Sequence, residues 1–121
     1  MNQPNVDLWR TPRSKYAAIP TEIDGLRFHS AKEARRYGEL KLLLVAVEIA
    51  DLTLQPVFPL HVMNAKTGEL IEVGRYLADF KYFDLRYGRM VVEDTKGFRT
   101  DLYRLKKRMV EAEYGVRIQE T

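Results

Sequence analysis

Met90-Val91-Val92-Glu93-Asp94-Thr95-Lys96-Gly97 opens apolar, ends charged and is stopped by a glycine. Successive side chains of a β-strand point to opposite faces, so residues two apart share one. Asp94 and Lys96 therefore stand side by side at the end of a segment that reads as a buried strand. A carboxylate and an ammonium in that arrangement suit a metal-dependent phosphodiester hydrolase. The acid can hold a hard divalent cation, and the lysine can position or stabilise an attacking water. The same D-x-K spacing also serves as an ordinary ion pair on solvated strand faces.

The flanking sequence supplies partners for this strand. Residues 70–83 are rich in β-branched and aromatic side chains, and Asp84 to Gly88 is a turn that brings the chain back to pair with 90–96. Downstream, Thr100 caps a helix over about 101–114, with Leu102, Leu105, Met109 and Ala112 as its apolar stripe and Gly115 as its stop. Val116 to Gln119 adds a last short strand. Upstream, Asp51 to Leu54 begins a β-region that continues through Gln55-Pro56-Val57-Phe58. Pro56 and Pro59 argue for an edge or an interruption there. Asn64 to Gly68 is a turn. Ser30-Ala31-Lys32-Glu33 is a capping box opening a helix over about 31–49, carried by Tyr37, Leu40, Leu44 and Val47. Ile23 to Phe28 is a short extended or hairpin-like entry around Asp24-Gly25. The order α, several β, α, β predicts a mixed α/β (α+β) domain over 22–121, with helices flanking a sheet of about four strands. Residues 1–21, with Pro4, Pro12 and Pro20 and no period, read as a flexible basic arm.

With 121 residues and 45% hydrophobic content the chain can bury a core. No apolar run approaches the roughly 20 residues of a membrane span, and the N-terminus has no secretory h-region. This predicts a protein without membrane association. The absence of cysteine excludes a disulfide framework and fits a cytoplasmic protein. The net charge of +3 is unevenly placed: residues 96–108 hold six Lys/Arg against one acid. Arg99, Arg104, Lys106, Lys107 and Arg108 thus follow the D-x-K pair directly. Such a cluster attracts a polyanion without regard to its sequence, although a solvated helix face has the same composition.

Two further acids bear on the D-x-K pair. Asp79 lies in Arg75-Tyr76-Leu77-Ala78-Asp79-Phe80-Lys81-Tyr82-Phe83, which reads as a strand apolar on both faces. A carboxylate there needs a partner or a cation. If this strand neighbours 90–96, Asp79 and Asp94 converge at one sheet end, where one or two carboxylates suffice for Mg²⁺. Pairing of Asp79 with Lys81 or an arginine is the structural alternative. Glu33 is explained by the capping box, through a bond back to the Ser30 amide, yet it also lines up with the apolar stripe; cap and ligand are both open. Glu93 points to the opposite strand face and reads as structural. His29 and His61 lack zinc-ligand spacing.

Asp24 to Tyr37, Leu54 to Phe58, Tyr76 to Phe80 and Val92 to Gly97, in that order, resemble the PD-(D/E)XK nuclease superfamily. They most resemble a small phage-encoded family of unknown function grouped with Holliday-junction-resolvase-like nucleases. The resemblance implies a restriction-endonuclease-like core, α-β-β-β-α-β. It implies Asp79 and Asp94 as metal ligands, the Thr95 carbonyl as a further ligand, Lys96 beside the water and Glu33 as the helical acid. It also implies Mg²⁺ or Mn²⁺ as cofactor, DNA as partner and the host-cell cytoplasm as the place of action; cutting both strands of a symmetric junction would suit a homodimer. The expected activity is endonucleolytic hydrolysis of branched or structured DNA in phage recombination or packaging. The alternative is a non-catalytic nucleic-acid-binding phage accessory protein, in which the acids are structural and the basic helix makes the contacts. A blander one is an accessory protein that binds another protein.

Overall fold

The computed structural model describes residues 21–95 and 99–121. The basic arm and Lys96, with Gly97, fall outside them, apart from Thr21. The chain groups into two compact units, Met1–Leu42 and Leu43–Thr121.

The first unit starts with β1 (Thr21–Ile23) and β2 (Leu26–Phe28), an antiparallel hairpin. Its turn residues Asp24 and Gly25 both have positive φ, 56° and 74°, which is what a tight two-residue hairpin turn demands. Next comes α1 (Ala31–Val45). The Ser30 hydroxyl accepts from the Glu33 amide at 3.0 Å. Glu33 reaches back to the amide of His29 at 3.1 Å, one residue earlier than the expected Ser30. Glu33, Ala34, Tyr37 and Leu40 are the buried positions of the helix, and the Tyr37 ring lies 4.9 Å from that of Phe28.

The expected helix over 31–49 is too long. Val47 is exposed and left-handed, with φ 57°, and the Glu48 amide bonds back to the Leu43 carbonyl at 2.9 Å. That is a helix C-terminal closure. The apolar period ran on into residues that no longer face a core.

In the second unit β3 (Ile49–Leu54), β6 (Phe80–Asp84), β7 (Arg89–Asp94) and β8 (Ile118–Glu120) form one sheet in the order β3-β6-β7-β8. β3, β6 and β7 pair antiparallel, whereas β8 lies parallel to β7. A parallel neighbour requires a crossover, which is supplied by α2 (Asp101–Tyr114). β4 (Val57–Met63) and β5 (Leu70–Leu77) make a separate antiparallel ribbon. The expected mixed α+β class and a sheet of four strands are therefore present.

One expected strand, 70–83, is two strands in two sheets, broken at Ala78-Asp79. The break has a physical cause on the facing chain. Gln55 adopts φ 52° and Pro56 has no amide proton to continue a ladder. Across the break the Ala78 amide bonds the Pro56 carbonyl at 3.1 Å, and the Gln55 amide bonds the Asp79 carbonyl at 2.8 Å. Ribbon and sheet thus continue one another through a paired bend, and Asp79 sits at the bend rather than inside a strand.

α2 begins and ends as expected: Thr100 accepts from the Tyr103 amide at 3.0 Å, and Gly115 closes the helix in the left-handed conformation. The expected stripe is rotated. Leu102, Leu105 and Ala112 are exposed, while Tyr103 and Val110 are buried and Met109 packs beside them. Residues 103, 107, 110 and 114 share this face at helical spacing. They include two tyrosines and a lysine, so counting aliphatic residues alone picked the wrong side. Tyr103 and Val110 meet Phe58, Leu60, Tyr76, Ala78, Val92 and Ile118 in one core. Tyr114 stacks edge-on to Phe58 at 5.2 Å and donates to the Pro59 carbonyl at 2.6 Å. Among the described residues no helix is long and apolar enough to cross a membrane.

Candidate active site

Strand alternation sets the site. Val92 and Ile118 belong to the core beneath α2, so Asp94 and Glu120, two residues on, face the same side. They are register partners on adjacent strands. Asp94 is 1% exposed. Its carboxylate accepts from the hydroxyl of Tyr76, on the β5 side of the bend. Burial, and then the adjoining Asp94 carboxylate, push the Tyr76 phenol above its ordinary value, so it is a proton donor at every relevant pH.

Asp79 reaches the same strand end from the bend. Its Oδ2 accepts the backbone amide of Thr95 at 2.6 Å, and its own amide bonds the Glu93 carbonyl at 3.0 Å. The two acids of the sequence reading are thus brought to one end of β7, Asp79 bonded to the residue that follows Asp94. The alternative of an ion pair between Asp79 and a neighbouring cation has no counterpart among the described residues. Thr95 is further tied by its hydroxyl to that of Thr121 at 3.0 Å.

Glu93 points to the other face of β7, fully buried, and accepts from the Tyr82 hydroxyl. This is the structural role expected of it. Glu33 lies in the first unit, where it caps α1 through the His29 amide. No three His, Asp or Glu side chains among the described residues gather as a metal cluster.

The basic residues divide into two groups. Arg99 clamps one oxygen of Glu120 through Nε and Nη2, both at 2.8 Å, and Lys107 approaches the other at 3.5 Å. The Tyr103 hydroxyl also donates to Glu120, at 2.6 Å, and its ring lies 6.2 Å from Tyr76. The Arg99 and then the Tyr103 hydrogen bonds hold the Glu120 carboxyl at about 2. Burial, and then the bond to Glu120, raise the Tyr103 phenol. Arg104 pairs with Asp101 at 3.1 Å on the exposed side of α2, a contact of little energetic weight. Lys106 and Arg108 make no ion pair among the described residues.

The family described as "Protein of unknown function (DUF1064)" matches residues 13–119. The chain belongs to that family. No curated protein and no solved structure matches it significantly. In this DUF1064 chain three polar side chains of the site escaped the sequence reading: Tyr76, Tyr103 and Glu120. The two tyrosines passed for core aromatics, which their rings are. Glu120 was detectable only by extending the last strand one residue and noticing that it shares a face with Ile118.

Proposed function

We propose that this DUF1064 chain is a divalent-metal-dependent DNA endonuclease of the PD-(D/E)XK kind, with a restriction-endonuclease-like core, acting on branched or structured DNA. The observation that carries the reading is the Asp79 carboxylate on the Thr95 amide, beside the buried Asp94. Asp79, from the bend, bonds the residue that follows Asp94 at the end of a strand whose sequence continues to Lys96. The sheet order, with a helix crossing to a parallel last strand, supports the same reading.

The donor set fits a hard cation: two carboxylates and the Thr95 carbonyl are all oxygen, and Mg²⁺ is satisfied by one or two carboxylates with waters. The Thr95 amide and the Tyr76 hydroxyl hold Asp79 and Asp94, respectively, in place. Asp79, Asp94 and the Thr95 carbonyl would hold Mg²⁺ or Mn²⁺. Such a cation would supply Lewis-acid polarisation of the phosphate and activation of water. Lys96 stabilises the charge that develops on the phosphate. Arg104, Lys106 and Arg108 neutralise flanking phosphates, a positioning role without base readout.

A cleavage panel of single-stranded, duplex, flapped and four-way DNA, with Mg²⁺, Mn²⁺ or EDTA, tests this. Metal-dependent cleavage of the branched substrates is expected. Absence of cleavage on every substrate with both metals overturns it in favour of a DNA-binding role.

A further inference from the structure

Glu120 is the least explained charge of the second unit. It lies on the α2 face as the register partner of Asp94 and gathers Arg99, Lys107 and Tyr103 on one carboxylate. The Arg99 side chain is 46% exposed and that of Lys107 27%, so both cations remain within reach of a ligand from solvent.

The arrangement restricts two long side chains that are otherwise rich in rotamers. Arg99, Lys107 and Glu120 together carry +1 before the adjoining Asp94 is counted. Arg99 spends its Nε and one face of Nη2 on Glu120, and a guanidinium has five N–H donors in all, so its remaining edge is available to a second anion. Pre-ordering cations in this way lowers the entropic cost of binding. The opposite effect, neutralisation of the cations by Glu120, would weaken anion binding, and the two effects differ in sign.

We propose that Glu120 is a positioning residue that holds Arg99 and Lys107 as a preformed seat for a DNA phosphodiester beside Asp94. The chain from Glu120 through Tyr103 and Tyr76 to Asp94 ties this seat to the acid pair. The inference rests on the DNA reading above but not on catalysis.

Binding of a labelled 20-base-pair duplex, by anisotropy in EDTA over 50–250 mM NaCl, separates the alternatives. Each phosphate contact contributes about 0.9 to the log–log salt slope, and so up to about eightfold in affinity at 0.1 M salt. R99A and K107A should each lower the slope by about one contact. E120A should weaken binding roughly tenfold and lower the slope by between one and two contacts, although it removes a negative charge. R99K, which keeps the charge but loses the fork, should weaken binding with little change in the salt slope. Thermal melts accompany each variant; if E120A does not fold, E120Q and R99K report the same quantities. Binding by E120A or E120Q as tight as wild type or tighter, or R99K indistinguishable from wild type, overturns the proposal. A wild-type protein that binds no DNA at any salt overturns instead the DNA reading on which it rests.

Discussion

Replacing Tyr76 with Phe removes one hydroxyl from the interior of the second unit and leaves its ring in place, 6.5 Å from Phe58 and 6.2 Å from Tyr103. The lost bond goes to Asp94, a carboxylate 1% exposed. A hydrogen bond to a charged group is worth about 1.5–3 kcal/mol, and a buried acceptor deprived of a donor loses that amount in full. For a domain of this size about 3–5 °C of melting temperature corresponds to each kcal/mol. Tyr76→Phe should therefore lower the midpoint by roughly 5–15 °C at pH 7. The same change made in an Asp94→Asn background removes a bond to a neutral acceptor, worth only about 0.5–1.5 kcal/mol. A thermal-melt double-mutant cycle should thus show the two changes coupled by about 1 kcal/mol or more. A fall in midpoint that is negligible, or equal in both backgrounds, would mean that the hydroxyl does not hold Asp94 and that Tyr76 is only packing.

Three further changes probe other parts of the structure. Glu33→Ala should cost about 1 kcal/mol by removing the bond to the His29 amide, while Glu33→Gln should restore most of it, both read by urea denaturation. Gly115 has φ 66° with open space around an added Cβ, so Gly115→Ala should lose about 1–2 kcal/mol through backbone conformation alone. Glu120 sits at about 2 when folded against an ordinary 4.5, so the unfolded chain binds its proton first as the pH falls. Its stabilisation is complete above pH 4.5 and is lost on acidification towards pH 2. The difference in urea midpoint between wild type and Glu120→Gln should be flat from pH 5 to 8 and shrink below pH 4.5.

Much of the fold was legible because its signals are local. The Asp24-Gly25 turn, the Ser30 cap, the Thr100 cap and the Gly115 stop each follow from one residue's backbone chemistry, and each is where the sequence put it. What was not legible depends on partners distant in sequence. The break at Ala78-Asp79 answers Gln55-Pro56 on a facing strand, and no pattern within 70–83 announces it. The buried side of α2 is chosen by Tyr76, Val92 and Ile118, which accept Tyr103 and Val110 in preference to Leu102 and Leu105. Asp79 and Asp94 stand out in the sequence as acids near one strand end. Their holders, the Thr95 amide and the Tyr76 hydroxyl, are tertiary contacts.

The basic run shows the same limit. Composition groups Arg99, Arg104, Lys106, Lys107 and Arg108 as one polyanion-binding cluster. In the folded chain Arg99 and Lys107 converge on Glu120, and Arg104 and Arg108 share the outer side of α2 four residues apart.

The most direct measurement is the initial rate of four-way-junction cleavage in Mg²⁺ by wild type and by Asp94→Asn, with DNA binding measured on the same preparations. Cleavage by wild type that is abolished by Asp94→Asn, with DNA affinity retained or raised, is the expected result. Equal cleavage by the two proteins would place the chemistry away from Asp79 and Asp94, contradicting the account.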